Sequence, residues 1–500
     1  MIRFLFYLFL IFALGGCDIF NKRIIIFEGT IDLIETLDPA KVNETGEPQL
    51  ISTIYESLFV LEGDYVTLQS RLLEDWTVSE DLKRYRLRLK PGIRFQDGSP
   101  LHAEAVTHCF QRQIALNPES PLFRMIDEIR ALDNQTLEIH LKYPYAQFLY
   151  TLTAPLGLKV ISKNALEKYG EEIGIHPVGS GPFQVKEFIK NKNIRLVVNP
   201  YYQNQSRSVQ EIHIKFYSDY FEMEQDFLYQ KLDVIYAVPG FSIDRLKWQG
   251  KVDYKILPPL NVLFLGFNCQ QKPFSDRRVR QAVLKAIDIP ELVNIISRGK
   301  ALPAEGPVPP VLFPNKNIRQ SGFDLTEAKK LLREAGYPNG FSVKFFYLDR
   351  LRPRGTLLEA LKVYLQKLQI ELEMVPFYSW ADFNAACRSD SAQLFWNSWE
   401  SDVLGDSENF LYSLFNSASS FNFFHYKNSQ VDIWLEYAQR EPDREKRQTF
   451  YEKIIQQVLE DTPAVFVFHV IPVVAFNRQK ISELPLNPYG IVKYNQIVVN

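Results

Sequence analysis

The residue with the most readable chemistry is Cys17. It follows Leu14-Gly15-Gly16 at the end of an unbroken apolar run, Phe4 to Leu14, with Arg3 just ahead of it. A run this short suits a leader core and does not comfortably span a bilayer. Small residues before a cysteine suit a lipobox, closing a signal peptide with lipobox over 1–17, in which the sulfur is diacylated, the leader cut before Cys17 and the new amino end acylated. Three acyl chains exceed what reversible single-chain anchoring provides, so the expected product is a stably tethered, exported chain with 18–22 as its tether. Asp18, directly after the cysteine, looks like an inner-membrane retention signal for a Gram-negative host.

Other reactive residue types lack the spacing that chemistry needs. Gly179-Ser180-Gly181 resembles part of a nucleophile elbow, but Pro177 and Pro182 flank it and favour a domain-crossing turn. GxSxG, P-loop, GxGxxG and HExxH patterns are missing. His102, His108, His140, His176, His213, His425 and His469 show no zinc-ligand spacing, so no metal or cofactor is expected. Cys109, Cys269 and Cys387 are odd in number and far apart, which reads as buried thiols. Carboxylates are plentiful but unplaced, so an exported hydrolase remains only a distant alternative.

The supporting elements are those of an ordinary folded chain. With 500 residues, 46% hydrophobic and 23% charged, it should divide into two or three domains. A net charge of -2 without a basic run argues against nucleic acid. The 37 Phe and 25 Tyr would serve either aromatic cores or a cleft lined by rings. Arg23 to Phe27 reads as a strand. So does Arg84 to Lys90, with Tyr85, Leu87 and Leu89 on one face. Helices are expected over Ala103 to Leu116 and Arg278 to Ile287, then after an Asp288/Glu291 capping box up to Gly299. Another should run from Asp324 to Gly336. Ala464 to Phe476 is apolar but too short to span, and His469 and Pro472 interrupt it. Interleaved strands and helices make the fold class α/β.

A resemblance then covers nearly the whole mature chain. Leu37-Asp38-Pro39, Ile54-Tyr55-Glu56-Ser57-Leu58, Leu73-Glu74-Asp75-Trp76 and Phe95-Gln96-Asp97-Gly98-Ser99-Pro100-Leu101 come first. Pro177 to Phe183, Asn199-Pro200-Tyr201, Phe267-Asn268, Pro273 to Asp276 and Arg280-Gln281-Ala282 follow in order. Together they resemble the family 5 extracellular solute-binding proteins, which include dipeptide-, oligopeptide- and nickel-binding proteins of ABC importers. The resemblance implies a periplasmic-binding-protein-like, class II fold of two lobes with an inserted extra domain. Domain I would be 23–57, 176–267 and 466–500, domain II 58–175 and domain III 268–465. It also implies capture of a peptide between closing lobes and delivery to permease subunits, by a monomer with no enzymatic step.

Family members pair the peptide ammonium with an Asp three positions after an aromatic residue. Ser398-Trp399-Glu400-Ser401-Asp402 is similar, so that role is carried to Asp402 and backbone pairing to Ser398, Trp399 and Glu400. The spacing from Asp402 to Phe410 is one residue longer than the family pattern, and Asp406 lies nearby. The opposing strand would be Asp32-Leu33-Ile34. For the peptide carboxylate, Arg350 is chosen among Arg350, Arg352 and Arg354, because a guanidinium forks a carboxylate. A nickel chelate or haem on the same fold, with His425 near the cleft in sequence, stays open as the rival ligand. A surface lipoprotein using the fold for adhesion or signal sensing is a further alternative.

Overall fold

The computed structural model describes residues 24–31, 34–42, 48–118, 120–203, 208–248, 250–297, 301–314, 317–349, 355–389, 391–401 and 403–500. Cys17, Asp32, Leu33, Gly299, Arg350, Arg352, Arg354 and Asp402 lie outside the described residues.

Three larger sheets organise the chain. A seven-stranded mixed sheet takes strands from its start (Ile24–Thr30), middle (for example Val209–Phe216 and Val252–Ile256) and end (Val473–Asn477). A four-stranded antiparallel sheet lies within Leu73 to Leu141, and a six-stranded mixed sheet within Asn261 to Val470. The first two share one continuous hydrophobic core. The third is sandwiched between two cores, one on each face.

Local signals account for the elements. Arg84–Leu89 alternates exposed and buried residues along its length, as a half-buried strand must. The helix Ala103–Leu116 buries Val106, Cys109, Phe110 and Gln113, a face set by the 3.6-residue period. Asp324 caps Leu325–Glu334 by accepting from the Glu327 N–H (2.9 Å), and Gly336 follows with φ +91°. Asp288 accepts from the Glu291 N–H (3.0 Å) at the start of Ile289–Ser297. The apolar stretch Ala464 to Phe476 is two strands in two different sheets, and no helix among the described residues is long and apolar enough to cross a membrane.

The domain crossings fall elsewhere than expected. Asn261–Phe267 and Ala464–Val470 pair with each other inside the six-stranded sheet, so the chain crosses before Asn261 and after Val470 rather than at 267 and 465. Apart from Asn261 and His469 both segments are apolar, and only their pairing reveals which core they fill. The two crossings run side by side. Leu257 N donates to Pro472 O (3.0 Å), while Asn261 donates through Nδ2 to Val470 O (3.1 Å) and accepts from Val470 N (2.8 Å).

Two recognisable motifs turn out to be halves of one joint. Gln96, buried, donates from Nε2 to the carbonyls of Ile54 (2.9 Å) and Phe183 (2.8 Å), and its Oε1 accepts from Gly179 N (2.8 Å). Gly179 presses against the neighbouring backbone, so a Cβ there would lie 2.1 Å from the Ile54 carbonyl oxygen. Gly179→Ala is therefore expected to destabilise by at least about 1–3 kcal/mol, the usual overpacking cost, measured as a lower urea midpoint. An unchanged midpoint would mean the joint yields freely.

Glu28, in the first strand, is buried and accepts from the Tyr494 hydroxyl. Burial pushes its carboxyl up to about 8, while hydrogen bonds from Tyr494 and Tyr236 pull the other way. The unfolded carboxyl titrates near 4.5, so between 4.5 and about 8 the folded chain holds a proton the unfolded chain has lost. This contribution to stability is full below that window and is lost as pH rises through it. Glu28→Gln should flatten that fall in denaturation midpoints collected from pH 4.5 to 8. An unaltered pH slope would exclude Glu28 as its source.

Candidate functional site

A cleft of about 570 Å³ opens between the two lobes. One wall comes from the first and second sheets' side: Pro39, Ala40 and Val42, with Gln113 and Asn117 from the long helix and Leu122 and Phe123 beyond it. Asp38, wholly buried, braces this wall by receiving both terminal nitrogens of Arg112 (3.0 and 2.6 Å), and Asn117 Nδ2 donates to Ala40 O (2.7 Å). A bidentate pair of this kind fixes a loop to a helix more rigidly than a single bond.

The other wall is built around the strand Leu394–Glu400. Asn397, Ser398, Trp399 and Glu400 all line the cleft. On one side this strand pairs antiparallel with Asn261–Phe267 along its whole length. On the other, the parallel strand Phe341–Leu348 pairs with it only from Leu394 to Trp396. Among the described residues no pairing continues on that side beyond Trp396, just where the strand enters the cleft. A strand edge left by its neighbour is the place where an extended guest chain can add.

Aromatic and amide side chains frame this edge. The Trp399 ring meets Phe421 edge-on at 5.2 Å, and its Nε1 donates to Asn409 Oδ1 (3.3 Å). Trp380, Asn384 and Phe423 complete the wall. Glu400 is the one ionisable side chain among the described lining residues. Flat rings with a few amides suit a guest whose side chains are held loosely while its main chain is fixed.

The expected site residues are placed as follows. Ser398, Trp399 and Glu400 sit together on the cleft strand. Asp402 lies outside the described residues, but its neighbours are firmly held: Ser401 is buried with its N–H on Leu260 O (2.9 Å), and Val403 is buried too. Asp406 is committed elsewhere, in a buried ion pair with Arg447 (2.8 Å). Arg350 is also outside the described residues, two positions after the parallel strand that ends at Leu348.

Ile34 is outside the named strands, and its side chain packs in the core at 4% exposure. Pro39, Ala40 and Val42 are the residues of that stretch that line the cleft. His425 directs Nε2 to the Cys387 carbonyl (3.2 Å) and is not a cleft residue. Among the described residues no group of three or more His, Cys, Asp or Glu is arranged to hold a metal ion. Cys109, Cys269 and Cys387 are unpaired thiols that burial pushes up to about 12, 11 and 12. Asn397, Asn409, Trp380, Phe421, Phe423, Gln113 and Asn117 were not anticipated. The aromatic residues near Trp399 were the one hint available.

Comparison with known proteins agrees with this architecture. The family model described as "Bacterial extracellular solute-binding proteins, family 5 Middle" matches residues 67–422. The glutathione-binding protein GsiB of Pectobacterium atrosepticum is 29% identical over 448 residues, 86% of each chain. Among solved structures, the periplasmic binding protein DppA of Helicobacter pylori, in complex with the peptide STSA, superposes with a TM-score of 0.81. It is 23% identical, over 95% of this chain and 98% of that one. NikA of Brucella suis, in complex with Fe(III)-EDTA, gives 0.83 at 18% identity, over 95% and 100%. Identities this low carry the fold and no ligand. The chain belongs to the bacterial extracellular solute-binding proteins of family 5.

Proposed function

We propose that this chain is the substrate-binding lipoprotein of an ABC importer, held to the membrane through Cys17, and that its guests are peptides. The observation that carries the reading is the cleft edge of Leu394–Glu400 beyond Trp396, where, among the described residues, the pairing with Phe341–Leu348 has ended. A peptide added there has its main chain paired by backbone groups, which is indifferent to its sequence. Amides and rings around it leave room for varied side chains.

The charged ends need their own partners, since burying either uncompensated is costly. Asp402, two positions after the cleft strand in sequence, takes the ammonium, and Arg350, two positions after the parallel strand in sequence, takes the carboxylate. The paired crossings at Leu257–Asn261 and Val470–Pro472 provide the hinge about which the lobes close. The protein carries out no chemical step; it captures, closes and hands on. Glutathione, for which the relative GsiB is named, is itself a small peptide and belongs in the first panel of guests to try.

Native mass spectrometry of the protein purified from its own host tests the reading. A ladder of bound peptide masses is expected. A single metal-chelate or haem mass, displaced by no peptide, would overturn it in favour of the nickel-type branch of the fold, of which NikA with Fe(III)-EDTA is a structural neighbour.

A further inference from the structure

One end of the seven-stranded sheet gathers four stretches that are distant in sequence. The strand Ile24–Thr30 begins there, and Lys480 reaches it, donating from Nζ to Ile25 O (2.6 Å) and to Asp233 Oδ2 (2.5 Å). The turn before Val234 meets the turn after Asn477: Asn477 N donates to Asp233 O (2.8 Å), and Gln230 Nε2 to Gln479 Oε1 (3.4 Å). That second turn meets the start of Val252–Ile256, where Arg478 N donates to Lys251 O (2.9 Å).

This end carries two strongly exposed aromatics, one of them the most exposed large apolar side chain among the described residues, beside basic side chains. Trp248 is 90% exposed and Tyr229 is 72% exposed. Lys247, Lys251 and Arg478 are exposed around them. Lys251 and Arg478 have no carboxylate partner among the described residues, whereas Asp226 is already held by Lys215 and Lys231, and Asp233 by Lys480. Asp244 and Asp253 are the exposed acidic residues near these in the chain, and against Lys247, Lys251 and Arg478 they leave the patch net positive. An indole left in water has a poor environment, and the headgroup zone of a bilayer, part apolar and part wet, is the one it prefers. Lysine and arginine add attraction to anionic lipid.

Position selects the occupant. Seven residue steps separate Cys17 from Ile24 and cannot exceed roughly 25 Å fully extended. If Cys17 is acylated, as the proposed function holds, the strand start and the patch around it are kept close to the lipid surface. We propose that this end of the first sheet is a membrane-contact face, with Trp248 and Tyr229 seated among headgroups and Lys247, Lys251 and Arg478 facing anionic phosphates.

The test uses the full processed chain added to phosphatidylcholine vesicles, with and without phosphatidylglycerol, in which part of the lipid carries brominated acyl chains that quench tryptophan. Of the six tryptophans, Trp248 should supply the quenched emission. Trp248→Ser should abolish the quenching, and Lys251→Glu with Arg478→Glu, or high salt, should weaken it only on anionic vesicles. Trp248 is almost fully exposed, so its replacement leaves the fold intact. Quenching that is absent, or unchanged in Trp248→Ser, overturns the proposal. Intact mass on the same sample reports acylation separately, so a missing lipid mass counts against the lipoprotein reading, while Trp248-dependent quenching is read on acylated and unacylated chains alike. Peptide uptake lost in Trp248→Ser without any quenching would overturn the membrane face and assign it to a protein partner.

Discussion

Asp402→Ala is expected to weaken binding of a peptide with a free amino end by about 3–5 kcal/mol, the cost of stranding one member of a buried charge pair. That is roughly a 10²- to 4 × 10³-fold rise in Kd. Its neighbours in sequence, Ser401 and Val403, are both buried. An amino-blocked analogue of the same peptide should bind the natural protein weakly already and lose little more in the variant. Isothermal titration of both peptides against both proteins decides it. Equal losses for the free and the blocked peptide would remove Asp402 from the ammonium role.

Arg447→Met is expected to destabilise the protein by about 3–5 kcal/mol, because it leaves Asp406 charged, buried and unpaired. Arg447 donates from Nε to Asp406 Oδ2 (2.8 Å) and from Nη1 to the carbonyls of Glu441 and Pro442 (2.8 Å each). Asp406 Oδ1 in turn accepts from the Glu408 N–H (3.0 Å), so the pair ties the loop after the cleft strand to the helix Arg444–Asp461. Adding Asp406→Leu should recover much of the loss, since an apolar pair of similar size removes the stranded charge. Urea denaturation of the single and double variants provides the cycle. A double variant no more stable than the single would mean the ion pair itself, rather than the relief of stranding, is what matters.

The fold was largely legible because its signals are local. The alternation over Arg84–Leu89, the apolar face of Ala103–Leu116 and the Asp324 cap need no knowledge of the rest of the chain. The crossings were misjudged for the opposite reason. Asn261–Phe267 and Ala464–Val470 are mostly apolar whichever core they fill, and only their mutual pairing shows that both belong to the six-stranded sheet. Gln96 illustrates the same divide: its motif is easy to find, but its partners Ile54, Gly179 and Phe183 come from other segments.

The cleft was half legible. Ser398 to Glu400 could be placed by motif and do line it. Trp380, Asn409, Phe421 and Asn117 could not, since each owes its place to contacts distant in sequence. Asp406 competed with Asp402 as a carboxylate until Arg447, forty-one positions on, was seen to hold it. Ile34 was drawn to the cleft by its neighbours in sequence, and its side chain packs in the core.

The central claim is that a guest's main chain adds to the edge of Leu394–Glu400. A tight-binding peptide N-methylated at one position at a time measures this most directly, because each methyl deletes a single main-chain donor. Affinity should fall at every second position and stay nearly level between, the two-residue period of a paired strand. A level profile across the whole series, or a decline without alternation, would contradict it.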